Sequence, residues 1–137
     1  LEAYASGTAI TRAVRHRTRQ SPAFRRAFEE WGLSADAEGC ADLAKRGIRD
    51  ARSIYEQMGD YLARGIATVI NLLNPQVVIL GGGVAKSMDL VLPIVSGRIG
   101  DYVVEGLAGT PIIPTALGYE AALLGTTALV LDKCKGV

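Results

Sequence analysis

Asn74-Pro75-Gln76-Val77-Val78-Ile79-Leu80-Gly81-Gly82-Gly83-Val84 is the stretch on which the fold turns. Proline lacks an amide proton and pushes the residue before it toward extended backbone, so Asn74-Pro75 ends any helix that reaches it. Val77 to Leu80 are four apolar residues without alternation, the pattern of a strand buried on both faces. Three glycines then leave the main chain bare at the strand's carboxyl end, where a planar or phosphorylated ligand can approach the amides closely. Taken alone, the glycines equally describe a tight strand-to-helix turn.

Outward from this stretch the periodicity is helical. Upstream, Ala51, Ile54, Tyr55, Met58, Leu62, Ile66, Val69 and Leu73 recur at three- and four-residue steps, which predicts one long amphipathic helix from Ile48 to Leu73. Before it, a helix is predicted over Glu2–Arg17, interrupted at Ser6-Gly7-Thr8. A short one runs over Pro22–Trp31, with Ser21 as cap, Pro22 at the first position and Gly32 as stop. Another covers Ala37–Arg46 between Asp36 and Gly47. Downstream, a loop and helix fill Val84–Val104, with Val91, Ile94, Val95, Ile99 and Val103 spaced for burial and Pro93 bending the first turns. Pro111–Thr115 reads as a second buried strand and Leu117-Gly118 as a turn. The helix Glu120–Asp132 is apolar on nearly all sides, which predicts an internal position. Two strands joined through a helix should be parallel, with a right-handed crossover. The fold class is therefore α/β, helix-rich with few parallel strands, and residues 1–137 hold no linker, so one domain is expected.

Composition removes several function classes. Lys and Arg total 15 against 14 Asp and Glu, and a net charge of +1 gives no long-range field for nucleic acid or an anionic membrane. The apolar runs fall far short of the roughly 20 residues of a membrane span, and no signal-peptide pattern is present, so a cytoplasmic location is expected. Cys40 and Cys134 are far apart with no CxxC spacing, as expected of ordinary reduced thiols. His16 stands among Arg12, Arg15, Arg17 and Arg19 with no partner ligand at helical spacing, so a surface position is expected. That cluster, extended by Arg25 and Arg26, lacks interleaved aromatics and reads as a solvated helical face, with no nucleic acid as partner. Phe28 and Trp31 read as core anchors. The chain opens on Leu1 inside an apparent helix, the expectation for a piece of a longer polypeptide.

Three segments resemble one known family. Asn74 to Val84 is similar to the segment in which ROK proteins (repressors, open reading frames, kinases) pass from their long helix into the adenosine-binding loop. Leu1-Glu2-Ala3-Tyr4-Ala5-Ser6-Gly7-Thr8-Ala9-Ile10 resembles the helix after that family's zinc motif. Leu117-Gly118-Tyr119-Glu120-Ala121-Ala122-Leu123-Leu124-Gly125 resembles its closing motif. The resemblance spans essentially the whole chain and implies the actin-like ATPase (ribonuclease H-like) fold of sugar kinases, of which this chain would form much of the carboxyl-terminal lobe. It implies that Gly81, Gly82 and Gly83 face the adenosine of ATP. Glu2 matches a glutamate that hydrogen-bonds sugar hydroxyls, as a carboxylate suited to two adjacent hydroxyl donors.

The same resemblance implies a parent protein that is an ATP- and Mg²⁺-dependent hexose kinase of glucokinase type. Its phosphate loop, catalytic aspartate and structural Zn²⁺ ligands would all precede Leu1. No catalytic or metal-binding residue is assigned within these 137 residues, and the chain alone is expected to be inactive. Loss of the partner lobe would bare apolar surface, so self-association into a homo-oligomer is expected. The alternative reading is the sugar-sensing lobe of a ROK transcriptional repressor, with a DNA-binding helix pair upstream.

Overall fold

A computed structural model describes residues 1–83 and 87–134. Six helices and two short strands follow in the order α1 (Gly7–Gln20), α2 (Pro22–Glu30), α3 (Ala37–Lys45), α4 (Arg49–Leu73), β1 (Val78–Leu80), α5 (Met88–Arg98), β2 (Ile112–Pro114) and α6 (Ala121–Cys134). Short 3-10 turns extend α5 over Ile99–Asp101 and precede α6 over Gly118–Glu120.

Local chemistry sets the boundaries. Ser6 accepts from Ala9 N at 3.1 Å, Ser21 from Phe24 N at 3.2 Å and Asp36 from Gly39 N at 3.0 Å. Each satisfies a first-turn amide that the helix itself leaves unpaired. Ser6 is the cap of α1, so the helix expected from Glu2 starts at Gly7 and residues 2–4 form a turn ahead of it. Gly32 at φ +60° and Gly47 at φ +88° take the left-handed conformation just past α2 and α3. Asn74 takes it at the end of α4 (φ 42°), and Pro75 follows.

Helix α4 is the spine. It carries the buried residues Ala51, Ile54, Tyr55, Met58, Leu62, Ala63, Ile66 and Ile70 and packs against α1, α3 and α5. Ile10 and Val14 of α1, Phe24 and Phe28 of α2, Cys40 and Leu43 of α3, and Val91 and Val95 of α5 complete one core. Burying a Leu- or Phe-sized side chain contributes roughly 1.5–3 kcal/mol, so this helical cluster carries the stability. Gly59 lets α5 come close: a Cβ there would lie 2.6 Å from Ile94 Cγ2.

The strands pair in parallel with Val78 opposite Ile112, Ile79 opposite Ile113 and Leu80 opposite Pro114. Val78, Leu80 and Ile112 turn toward the helical core, whereas Ile79 is 61 % exposed and Ile113 44 %. The strand is thus covered on one face, where burial on both was expected. Alternation of side chains across a two-stranded sheet sends every second residue away from the only helices that cover it. Val77 falls just outside β1. The apolar stripe of α4 also stops short: Val69 and Leu73 are exposed, because no described element packs over the last turns on that side.

Two further expectations are corrected in the same way. Helix α6 is not internal, since every side chain from Leu123 to Leu131 is exposed. Trp31 ends α2 in an exposed position with the Arg46 guanidinium 3.9 Å from its ring centre, while Phe28 is the core anchor. No described helix is long and apolar enough to cross a membrane.

Candidate functional site

Because β1 and β2 are parallel, their carboxyl ends lie side by side, and each runs into a glycine-bearing turn. Leu80 O accepts from Thr115 N at 2.8 Å, so the two chains leave the sheet together. Beyond that bond Gly81 sits against Thr115, whose Cγ2 would be 3.3 Å from a Cβ at position 81. Thr115 Oγ1 accepts from Leu117 N at 3.2 Å and shapes the neighbouring turn, which ends at Gly118 (φ +60°).

The three predicted glycines differ in what they require. Gly81 is held to a small size by Thr115. Gly82 has φ +82°, a backbone conformation that side chains with a Cβ disfavour. Gly83 has neither constraint, and no atom lies within 4 Å of where its Cβ would be. All three are exposed, and Gly82 and Gly83 open onto free space at the sheet's carboxyl edge. In open α/β sheets this edge is where ligands lie, and bare amides there suit an approach by a planar or anionic group.

Beyond the bend, α5 begins at Met88 with Ser87 at its cap position. Its first turn is tied back to the helical core. Asp89 pairs with Lys45 at the end of α3 at 2.9 Å, and this bond holds the Asp89 carboxyl below the usual carboxylate range. The hydroxyl of Tyr55, from the middle of α4, hydrogen-bonds Ser87 Oγ at 3.2 Å and Ala37 O at 3.1 Å. Burial pushes that phenol up to about 12. Neither Thr115 as a neighbour of the bend nor Tyr55 as a partner of Ser87 was legible in the sequence. Thr115 shows only as the end of a strand, and Tyr55 fits the apolar stripe of α4 like any core residue.

Glu2 is exposed, on the turn before α1. The adjoining Leu1 packs on α4 at Gly65, where its Cδ1 would be 2.7 Å from an added Cβ. No hydrogen bond or ion pair among the described residues joins Glu2 to the glycine bend. His16 is exposed and borders a cleft of about 380 Å³ between α1 and α4, with Tyr4, Arg12, Met58 and Tyr61. Arg17 is paired with Asp50 at 2.7 Å, and Arg12 hydrogen-bonds Ala3 O, so the arginine cluster is partly spent on internal contacts. Cys40 is free and buried, its thiol pushed up to about 12 by burial and then by Asp36. Cys134 lies at the end of α6.

A helix-rich α/β lobe whose parallel strands end in glycine turns is the class of fold that these elements define. The comparisons narrow it. The sequence profile of the ROK family matches residues 1–133, and the chain belongs to that family. A glucokinase of Thermotoga maritima is 31% identical over 140 residues, covering 99% of this chain and 44% of the glucokinase. A xylose repressor of Bacillus subtilis is 31% identical over 78 residues, 56% of this chain and 20% of the repressor. Among solved structures, a ROK family glucokinase from Streptomyces griseus in complex with glucose and AMPPNP superposes with a TM-score of 0.82. It is 24% identical, and the match covers 93% of this chain and 43% of that one. The fold is that of the actin-like ATPase lobe found in ROK sugar kinases. The chain spans less than half the length of these relatives.

Proposed function

We propose that this chain is the carboxyl-terminal lobe of an ATP-dependent hexose kinase of glucokinase type, acting from residues 1–137 as one domain. The glycine bend carries the reading. Gly82 and Gly83 leave main-chain amides and open space at the carboxyl edge of a parallel sheet, which suits the adenosine moiety of a nucleotide. ATP, when bound, supplies the γ-phosphoryl group. This chain's part is to seat the nucleotide against Gly81, Gly82 and Gly83, with Thr115 closing the side of the bend. Glu2, exposed on the turn before α1, would accept hydrogen bonds from sugar hydroxyls and so orient the hexose.

Among the described residues no group of three His, Cys, Asp or Glu side chains could hold a metal ion. The family resemblance assigns the residues that hold Mg²⁺, take the proton of the attacking hydroxyl and bind structural Zn²⁺ to segments that would precede Leu1. A complete polypeptide mixed with glucose, Mg²⁺ and ATP should release ADP in a glucose-dependent manner. Absence of both ADP release and glucose-dependent nucleotide binding would overturn the proposal. The isolated 137 residues should show no turnover and should self-associate through the bare faces of β1, β2 and α6, as read by analytical ultracentrifugation.

The similarity to a xylose repressor supports a second reading, a sugar-sensing lobe in a DNA-binding protein. Sugar binding without ADP release, together with sequence-specific DNA binding by the complete polypeptide, is the result that favours it. The kinase reading is preferred because the glucokinase similarity runs over 99% of the chain.

A further inference from the structure

Glu2 is exposed on the turn before α1, and among the described residues its carboxylate has no hydrogen-bond or ion-pair partner, yet the residues around it are held. Tyr4 N and Ala5 N both donate to Leu1 O at 2.9 Å, which closes the chain around Glu2. Leu1 and Tyr4 then rest on one strip of α4. Leu1 meets Gly65, where its Cδ1 would be 2.7 Å from an added Cβ, and the Tyr4 ring lies 4.9 Å from that of Tyr61, centre to centre. Tyr61 and Gly65 are four positions apart and so are neighbours on one helix face. A third hold comes from α1, where Arg12 Nη2 donates to Ala3 O. The carbonyl that accepts it belongs to the residue next to Glu2.

Among the described residues this is the one side-chain hydrogen bond made to residues 1–4. A guanidinium donor gives a charge-assisted bond, stronger than a neutral one. The turn has little else behind it. The cleft of about 380 Å³ between α1 and α4 is bordered by Ala3, Tyr4, Arg12 and Tyr61, and residues 1–4 are all exposed. No packed core therefore fixes where Glu2 stands, and its place depends on these few contacts. In the sequence Arg12 reads only as one more member of a solvated arginine face. We infer that Arg12 is a positioning residue for the sugar site: by holding Ala3 O it fixes the turn that carries Glu2, and so sets sugar affinity through Glu2. The inference rests on the reading that Glu2 accepts hydrogen bonds from sugar hydroxyls.

The test uses the complete polypeptide, with glucose titrated calorimetrically in the absence of nucleotide and ATP titrated with Mg²⁺ in the absence of sugar. Arg12→Met keeps the apolar stem of the side chain and removes the donor. It should weaken glucose binding by about three- to tenfold, the range for loss of one hydrogen bond, and leave ATP binding within about twofold of wild type. Arg12→Lys keeps a cationic donor and should lose less. Arg12→Met added to Glu2→Ala should weaken glucose binding no further than Glu2→Ala alone, because a residue that acts through Glu2 then has nothing left to position. If Glu2→Ala binds glucose weakly while Arg12→Met binds it like wild type, the positioning role is overturned and the sugar reading of Glu2 stands. Equal losses for glucose and ATP, or an Arg12→Met loss that persists in full beside Glu2→Ala, would also overturn it, since Arg12 would then act on the whole lobe or by another route. A wild type that does not bind glucose, or a Glu2→Ala variant that binds it unchanged, would remove the sugar reading and this inference with it.

Discussion

Alanine at position 82 and alanine at position 83 separate what the glycine bend needs for folding from what it needs for a ligand. An added Cβ meets nothing within 4 Å at either position, so neither change causes a clash. The backbone differs. Gly82 has φ +82°, and a residue with a Cβ costs roughly 1–2 kcal/mol in left-handed geometry. Gly83 carries no such angle, and replacing it removes only unfolded-chain freedom, a gain of up to about 1 kcal/mol. With an unfolding entropy near 2.1 cal/mol/K per residue, a chain of 137 residues loses about 3–7 °C of Tm for 1–2 kcal/mol. Thermal unfolding followed by circular dichroism should therefore place Gly82→Ala about 3–7 °C below wild type and Gly83→Ala level with it or slightly above. In the complete polypeptide the order of effects reverses. The methyl group of Gly83→Ala fills the space in which a nucleotide would lie, and a loss of about 1.4 kcal/mol is a tenfold rise in Kd for ATP. A Gly83→Ala protein that is as stable as wild type and binds ATP equally well would refute the placement of the nucleotide against this bend. A Gly82→Ala protein with unchanged Tm would refute the strain argument.

Gly39→Ala should be among the most damaging single-methyl changes, because the new Cβ would lie 2.1 Å from the Ser34 carbonyl oxygen and 3.2 Å from Phe28 Cε1. A Tm drop of about 4–10 °C is expected for the roughly 1–3 kcal/mol of overpacking, against no loss for Gly7→Ala, whose Cβ points into open space. Asp60 accepts from the Tyr102 hydroxyl at 2.5 Å and from Arg64 Nε at 2.9 Å, and the Tyr102 bond foremost holds its carboxyl below the usual range. A carboxyl lowered in the folded state favours folding at pH above its unfolded value, and this contribution fades as pH falls through the folded one. Urea midpoints measured between about pH 5 and about pH 3 should therefore fall more for wild type than for Asp60→Asn, and parallel curves would contradict the assignment. Cys40, buried beside Ala51 O with its thiol pushed up to about 12, should resist iodoacetamide in the native protein at mildly alkaline pH and react only after denaturation. Peptide mapping by mass spectrometry reads this directly, and native-state labelling of Cys40 would disprove it.

Much of the fold was legible because helix ends are local chemistry. Ser21-Pro22, Asp36 and Asn74-Pro75 each carry their boundary in one or two residues, and α2, α3 and α4 begin and end within a residue or two of expectation. The start of α1 was misplaced because Leu1 to Ala5 are compatible with a helix, and only the captured amide of Ala9 decides that Ser6 is the cap. For the candidate site, the sequence carried the glycine bend and its position after a strand. It did not carry Thr115 against Gly81, nor Ser87 against Tyr55, since both pairings join residues more than thirty positions apart.

Residue order by itself determined the succession of helices and strands, the parallel sense of the pair and the place where the main chain is bare, because these follow from backbone sterics and short-range hydrogen bonding. Tertiary structure alone decided which apolar residues are covered. Ile79, Val69, Leu73 and the leucines and valine of α6 between Leu123 and Leu131 are as apolar as the core, yet they stand exposed among the described residues. A hydrophobic side chain records that burial would be favourable, and only the spatial arrangement of other elements determines whether anything lies over it.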